Sequence, residues 1–261
     1  MKFINIKNLL LGAAVTTATF GLTSCNDLLD MKPINQITPE AYYQNADQLA
    51  AYLNNYYDSY LEMPFSGSMS HSWGQWNEGK AKSDWDTDIY CWGGGSTQRF
   101  ADEHWEVSSG KVLQGYYNGV RIYNHFINTV QKQIDNGTLP NSEEVKNYLG
   151  EAHFFRALVY YRLLALYGDV PVITEVLPDE NNVIVENSKR TPRNEVARFI
   201  LSDLDKAIEM CYTRSKFNGQ RVNREAALLI KSRIALFEGT FEKYHRGSGR
   251  VPGDANWPGA K

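Results

Sequence analysis

The chain is short of the features that most catalytic or metal-binding proteins display, and each shortage removes a class. Three cysteines, Cys25, Cys91 and Cys211, are too few for a disulfide framework. His71, His104, His125, His153 and His245 never stand at a ligand spacing such as His-x-x-x-His, which argues against a zinc site. No Gly-x-Ser-x-Gly elbow and no Walker loop is present. Acid pairs such as Asp102-Glu103 and Glu143-Glu144 are immediate neighbours, whereas glycosidase carboxylates must face each other across a bond. Asp84, Asp86 and Asp88 open like a calcium loop, but Ile89 stands where its glycine belongs and Gly95 where its glutamate belongs. There is no Lys/Arg run to meet nucleic acid. No apolar stretch reaches the ~20 residues that a bilayer-spanning helix needs. Together these shortages leave no sequence signature of a metal site, of a cofactor or of a known catalytic centre.

The first residues carry an address. Lys2 and Lys7 precede Leu9-Leu10-Leu11-Gly12-Ala13-Ala14-Val15, and Leu22-Thr23-Ser24-Cys25 follows. A charged start, a short apolar core and a small-residue cleavage site describe a secretory signal. The Leu-Thr-Ser-Cys box resembles the bacterial lipoprotein signal, in which the cysteine thiolate accepts a diacylglyceryl group and becomes the acylated first residue. On that reading residues 1–24 are a signal peptide, Cys25 is the lipidation site, and 25–37 is a lipidated leader. Several acyl chains anchor stably where one would not. The alternative is an ordinary secreted protein in which Cys25 is incidental. Removing residues 1–24 leaves 237 residues, and the loss of Lys2 and Lys7 leaves 25 basic against 30 acidic side chains, a net of −5. Cys91 and Cys211 then either pair with each other or serve as small buried hydrophobes.

Beyond the leader the periodicity is helical throughout. Thr38-Pro39-Glu40 reads as a helix start, with Tyr42, Leu49, Leu53, Tyr56 and Tyr60 forming one stripe to about Leu61. A second helix opens near Ser108-Ser109 and stops at Asn136-Gly137. A third runs from about Ser142 to Tyr167, ended by Gly168 and Pro171, with apolar residues over most of its circumference. A fourth starts at Thr191-Pro192 and a fifth near Asn223, reaching about Tyr244. Val170-Pro171-Val172-Ile173 and Val183-Ile184-Val185 are the best short extended pieces. The expected fold is all-α, a helical stack with tetratricopeptide-like helix pairs and a long Trp-rich loop over 62–107. No clean 34-residue period is visible.

That loop is where binding chemistry concentrates. Five of the six tryptophans, Trp73, Trp76, Trp85, Trp92 and Trp105, fall within it. A long connection inside a compact domain is functional or disordered, and clustered tryptophan argues against disorder. Ser72-Trp73-Gly74-Gln75-Trp76-Asn77 and Asp84-Trp85-Asp86-Thr87-Asp88 place polar groups beside flat aromatic platforms, the combination that sugar rings require. Trp73, Trp76, Trp85 and Trp92 are therefore candidate glycan-binding residues. The competing reading makes them a satellite core that pins the loop; Trp105, which leads into the second helix, is core. Arg156 and Arg162, on a largely apolar helix, are expected to snorkel or to pair with Asp/Glu.

Four segments carry a resemblance. They are Cys25 to Thr38, Trp105 with Tyr116-Tyr117 and Tyr123-Asn124, Glu151 to Pro171, and Asn223 to Gly239. In order and in content they resemble the SusD/RagB nutrient-binding outer-membrane lipoproteins of Bacteroidetes. The resemblance implies a lipid-anchored protein on the outer face of the cell outer membrane. It further implies capture of an oligosaccharide or polysaccharide, sometimes peptide, for delivery to a TonB-dependent SusC-type transporter, without catalysis. Family chains are longer, so residues 38–261 are expected to be the N-terminal helical part of such a domain, with helix faces awaiting a covering half. Two other readings stand beside this one: a helical-repeat lipoprotein adaptor that binds no ligand, and a lipoprotein glycoside hydrolase.

Overall fold

A computed structural model describes residues 42–61 and 111–251. Its regular elements are α1 (Ala46–Leu61), α2 (Lys111–Asp135), α3 (Glu143–Tyr167), α4 (Asn181–Asn187), α5 (Arg193–Met210), a 3-10 turn (Arg214–Phe217) and α6 (Arg224–His245). Among the described residues there is no strand, only isolated bridges such as Val170 with Thr191. The all-α expectation holds. The helices run to 16, 25, 25, 7, 18 and 22 residues, and this unequal series establishes no regular helix-pair repeat.

α3 is the centre. It packs against α1, α2 and α5, while α6 packs on α5. Every residue from Asn147 to Tyr160 is buried, so this helix meets neighbours all round, as its sequence requires. Ser142 starts it by accepting a hydrogen bond from the Val145 amide, and Gly168 ends it at φ 70°, its own N–H returned to the Leu164 carbonyl. Gly150 lets α5 come close: a Cβ there would lie 2.9 Å from both Cys211 Sγ and Met210 Cβ. Between α1, α2 and α3 runs an aromatic seam. Tyr52 stacks on Phe126 at 5.5 Å, Tyr123 stacks on Phe155 at 5.6 Å, and Tyr43 meets Phe126 edge-on at 5.2 Å. Tyr43, Tyr123, Phe126 and Phe155 are fully buried, and each contributes on the order of 1.5–3 kcal/mol through burial, while Tyr52 is half-buried.

One local expectation is corrected, and another is divided. The Thr38 start lies outside the described residues, while the single stripe expected from Tyr42 to Leu61 is interrupted at 43–45, and α1 is regular from Ala46. A local signal sets this start: the Asn45 side chain accepts from the Gln48 amide at 3.0 Å, and the Gln48 side chain accepts from the Gln44 amide at 2.9 Å. Val183-Ile184-Val185 lies in the short helix α4 rather than in an extended piece. No strand is available among the described residues to pair with it, and a helical turn satisfies its own backbone: Ile184 N–H bonds Glu180 O and Ser188 N–H bonds Val185 O.

Residues 170–175 form an irregular strap across α2 and α3. Tyr160 Oη both donates to the Ile173 carbonyl (3.0 Å) and accepts from the Ile173 amide (2.8 Å). Tyr117 Oη donates to Pro171 O at 2.7 Å, and Asn124 Nδ2 donates to Ile173 O at 2.8 Å. The Val170–Ile173 piece is thus extended only as far as one bridge, with the Pro171 carbonyl and both polar groups of Ile173 taken by side chains.

Candidate functional site

Three buried charge clusters hold the helices in place and so position the surface. In the first, Arg156 of α3 donates from Nε to Asp203 Oδ2 (2.7 Å), from Nη2 to Asp203 Oδ1 (2.8 Å) and from Nη1 to Asn124 Oδ1 (2.9 Å). His153 Nδ1 lies 2.9 Å from Asp203 Oδ1. An ionised carboxylate only accepts, so Nδ1 carries the proton. Burial alone would raise the Asp203 carboxyl, but the hydrogen bonds from Arg156 and His153 outweigh it and hold the group below its ordinary value. Burial lowers His153, and the Asp203 contact only partly opposes it, so the ring is neutral in the fold. Arg156 is therefore a paired arginine, one of the two outcomes expected of it. In the second cluster Glu151, fully buried, accepts two bonds from Arg221 (2.9 and 2.8 Å), one from Asn147 (2.9 Å) and one from Tyr57 (2.7 Å). In the third, Arg193 holds Glu238 through two bonds of 2.6 Å while its guanidinium sits 3.6 Å over the Phe241 ring.

The first cluster carries a pH dependence whose sign is fixed. A histidine lowered from its ordinary 6.5 stabilises the fold above that value, and the unfolded chain gains by taking the proton below it. A carboxyl lowered from 3.8 adds a second loss as pH falls further. Urea unfolding should therefore show stability falling as pH drops below 6.5, and His153→Gln should flatten that upper limb while leaving the lower one.

At the C-terminal end of α3 the third cluster opens onto a surface groove. A cleft of about 380 Å³ is lined by Tyr167, Gly168, Asp169, Arg190, Arg193 and Arg250, with Phe241 beside Arg193. A second cleft of about 230 Å³ shares Tyr167, Asp169 and Arg190 with it and adds Tyr117, Val170 and Pro171. Local structure explains the arrangement. Gly168 turns the chain out of α3 at φ 70°, and a Cβ on it would sit 3.4 Å from Arg193 Nη1. Asp169 Oδ1 then accepts from the Arg193 amide at 2.9 Å, pinning the start of α5 to the end of α3. Arg190 Nη1 makes one long bond, 3.3 Å, to the Asp169 carbonyl. Tyr167 meets Tyr116 edge-on at 6.3 Å, and the Arg162 guanidinium lies 5.2 Å from the Tyr116 ring centre. The groove thus combines aromatic rings with charged forks, as small-molecule sites do.

Cys25, Trp73, Trp76, Trp85 and Trp92 lie outside the described residues, as do Trp105, Cys91 and the Asp84–Asp88 acids. Cys211 is a buried free thiol at the end of α5, and burial pushes it well above the ordinary thiol range. Arg190 and Arg250 escaped sequence reasoning. They stand sixty residues apart, and only the packing of the turn after α6 against the α3–α5 junction brings them together. The one available signal was the cluster Lys189-Arg190 just before the Thr191-Pro192 helix start.

Residues 26–236 match a family model, SusD-like, described as "Starch-binding associating with outer membrane". The chain belongs to the SusD-like family. A curated relative, SusD-like protein P2 of Formosa agariphila, is 25% identical over 235 residues, covering 85% of this chain and 42% of the relative. A SusD-like protein of Bacteroides ovatus is 31% identical over 97 residues, 36% of this chain and 16% of its own length. The match thus spans less than half the length of either SusD-like relative. A solved SusD-like structure from Bacteroides fragilis NCTC 9343 superposes with a TM-score of 0.49 at 23% identity, over 81% of this chain and 39% of the other.

Proposed function

We propose that this protein is a cell-surface glycan-binding lipoprotein, and not an enzyme. In this reading Cys25 carries the acyl anchor in the outer membrane. Trp73, Trp76, Trp85 and Trp92 supply platforms for sugar rings, and the bound oligosaccharide or polysaccharide passes to a TonB-dependent SusC-type transporter. The observation that carries the proposal is the family match over residues 26–236, whose description joins starch binding to the outer membrane. The tryptophan cluster supports it chemically, since apolar faces flanked by amide and carboxylate groups suit a polyol.

The test is retention on affinity gels cast with starch and other soluble polysaccharides, for the protein and for its Trp73→Ala, Trp76→Ala, Trp85→Ala and Trp92→Ala variants. At least two of the four should lose about tenfold in affinity, as buried aromatic anchors do. Unchanged retention in all four would remove the platform role.

A further inference from the structure

We infer that the groove at the α3–α5 junction is an anion-selecting subsite, and that the glycans this protein captures carry carboxylate or sulfate groups. The inference rests on the glycan-binding reading above and adds a substrate class to it.

Charge bookkeeping in the groove begins with what is already committed. The Arg193 fork is saturated by Glu238 and fixed over Phe241, so it contributes shape more than charge. Asp169 gives one oxygen to the Arg193 amide. Against that single carboxylate stand Arg190 and Arg250, both exposed. Among the described residues Arg190 makes only its 3.3 Å hydrogen bond to a carbonyl, and the Arg250 guanidinium makes no hydrogen bond or ion pair. Two guanidinium forks with open donors facing one acid leave the cleft net positive. A guanidinium matches a carboxylate or sulfate through two parallel N–H···O bonds, a geometry that a neutral hydroxyl cannot use.

Shape selects a sugar over a bare ion. The cationic cleft of about 380 Å³ is continuous in its lining with the smaller apolar one, and Arg190 and Tyr167 border both. Tyr117 and Pro171 give that smaller cleft its apolar wall, while Tyr117 Oη is tied to the Pro171 carbonyl and so is fixed in place. An acidic sugar can set its C–H face against this wall and its anionic group at Arg190 and Arg250. A free sulfate would use the arginines alone and leave the apolar wall wet.

Calorimetric titration tests this with three probes: a neutral gluco-oligosaccharide, an oligogalacturonate of similar length and inorganic sulfate, each with the protein and with the Arg190→Gln/Arg250→Gln double variant. Both arginines are exposed, so an unchanged melting temperature should confirm that the variant folds. The expected result is oligogalacturonate binding roughly tenfold tighter than neutral sugar in the parent and equal to it in the variant, with the difference shrinking at about 0.5 M salt. A sulfated galactan oligosaccharide should follow the oligogalacturonate. Neutral sugar bound equally by parent and variant, with no preference for the acidic probe, would overturn the subsite and leave the glycan reading standing. Inorganic sulfate bound as tightly as oligogalacturonate would also overturn it, as a site for ions rather than sugars. Loss of every saccharide in the parent would overturn the glycan reading itself, and the inference with it.

Discussion

Replacing Arg156 by methionine is expected to cost about 3–5 kcal/mol of folding stability, the range for breaking one side of a buried ion pair. Arg156 and Asp203 are 3% and 1% exposed, so neither can turn to water when its partner goes. Asp203 would keep only the neutral His153 ring, and Asn124 would lose the donor at its Oδ1. A typical domain has only about 5–15 kcal/mol in total, so this one change consumes a large share. Removing the second charge as well should return part of the loss: an Arg156→Met/Asp203→Leu double variant leaves no uncompensated charge in the core. Urea midpoints for the parent, the single and the double variants decide the matter. A single-variant loss below about 1 kcal/mol would mean that the cluster is solvated, as surface pairs are.

Gly150→Val is expected to cost about 3 kcal/mol, the upper part of the range for overpacking a close helix contact. The Cβ alone would sit 2.9 Å from Cys211 Sγ and Met210 Cβ and 3.1 Å from the Cys211 backbone nitrogen. The last of these is main chain and cannot rotate away, so α5 must move off α3. Gly239→Ala provides the control of opposite sign. It lies in α6 with nothing within 4 Å of its Cβ direction, and there alanine should stabilise by about 0.5–1 kcal/mol through helix propensity alone. Melting temperatures of the two variants should therefore fall on opposite sides of the parent. If Gly150→Val matched the parent, the α3–α5 approach described above would be wrong.

The helix ends that depend on one residue were readable in advance. Ser142, Gly168 and Asn223 mark the ends of α3 and the start of α6 because each acts on its own neighbours: Ser142 on the Val145 amide, Asn223 on the Ala226 amide, Gly168 on the Leu164 carbonyl. The break before α1 was not foreseen: Asn45-x-x-Gln48 is a start signal inside the expected stripe, whereas Thr38-Pro39 lies outside the described residues. The apolar run at Val183-Ile184-Val185 was ambiguous by nature, since a short run fits strand or helix until a pairing partner is found or lacking. Periodicity could place Arg156 on a buried helix but could not name Asp203, which arrives from another helix 47 residues later. The same holds for the groove, where Arg190 and Arg250 meet through tertiary packing that no local pattern encodes. The tryptophan segment, which composition singled out, lies outside the described residues.

The strap at 170–175 has a mechanical consequence. It belongs to no helix or strand, and by that measure it would pass for a pliable link between α3 and α5. Yet Tyr160 grips both polar groups of Ile173, and Asn124 adds a second hold on the same carbonyl. Since Asn124 is itself held by Arg156, tugging on the strap pulls on the core charge cluster. The groove's Pro171 wall is thus anchored to the buried Arg156–Asp203 cluster, so it behaves as a jaw set in bone and opens only when the bundle itself comes apart.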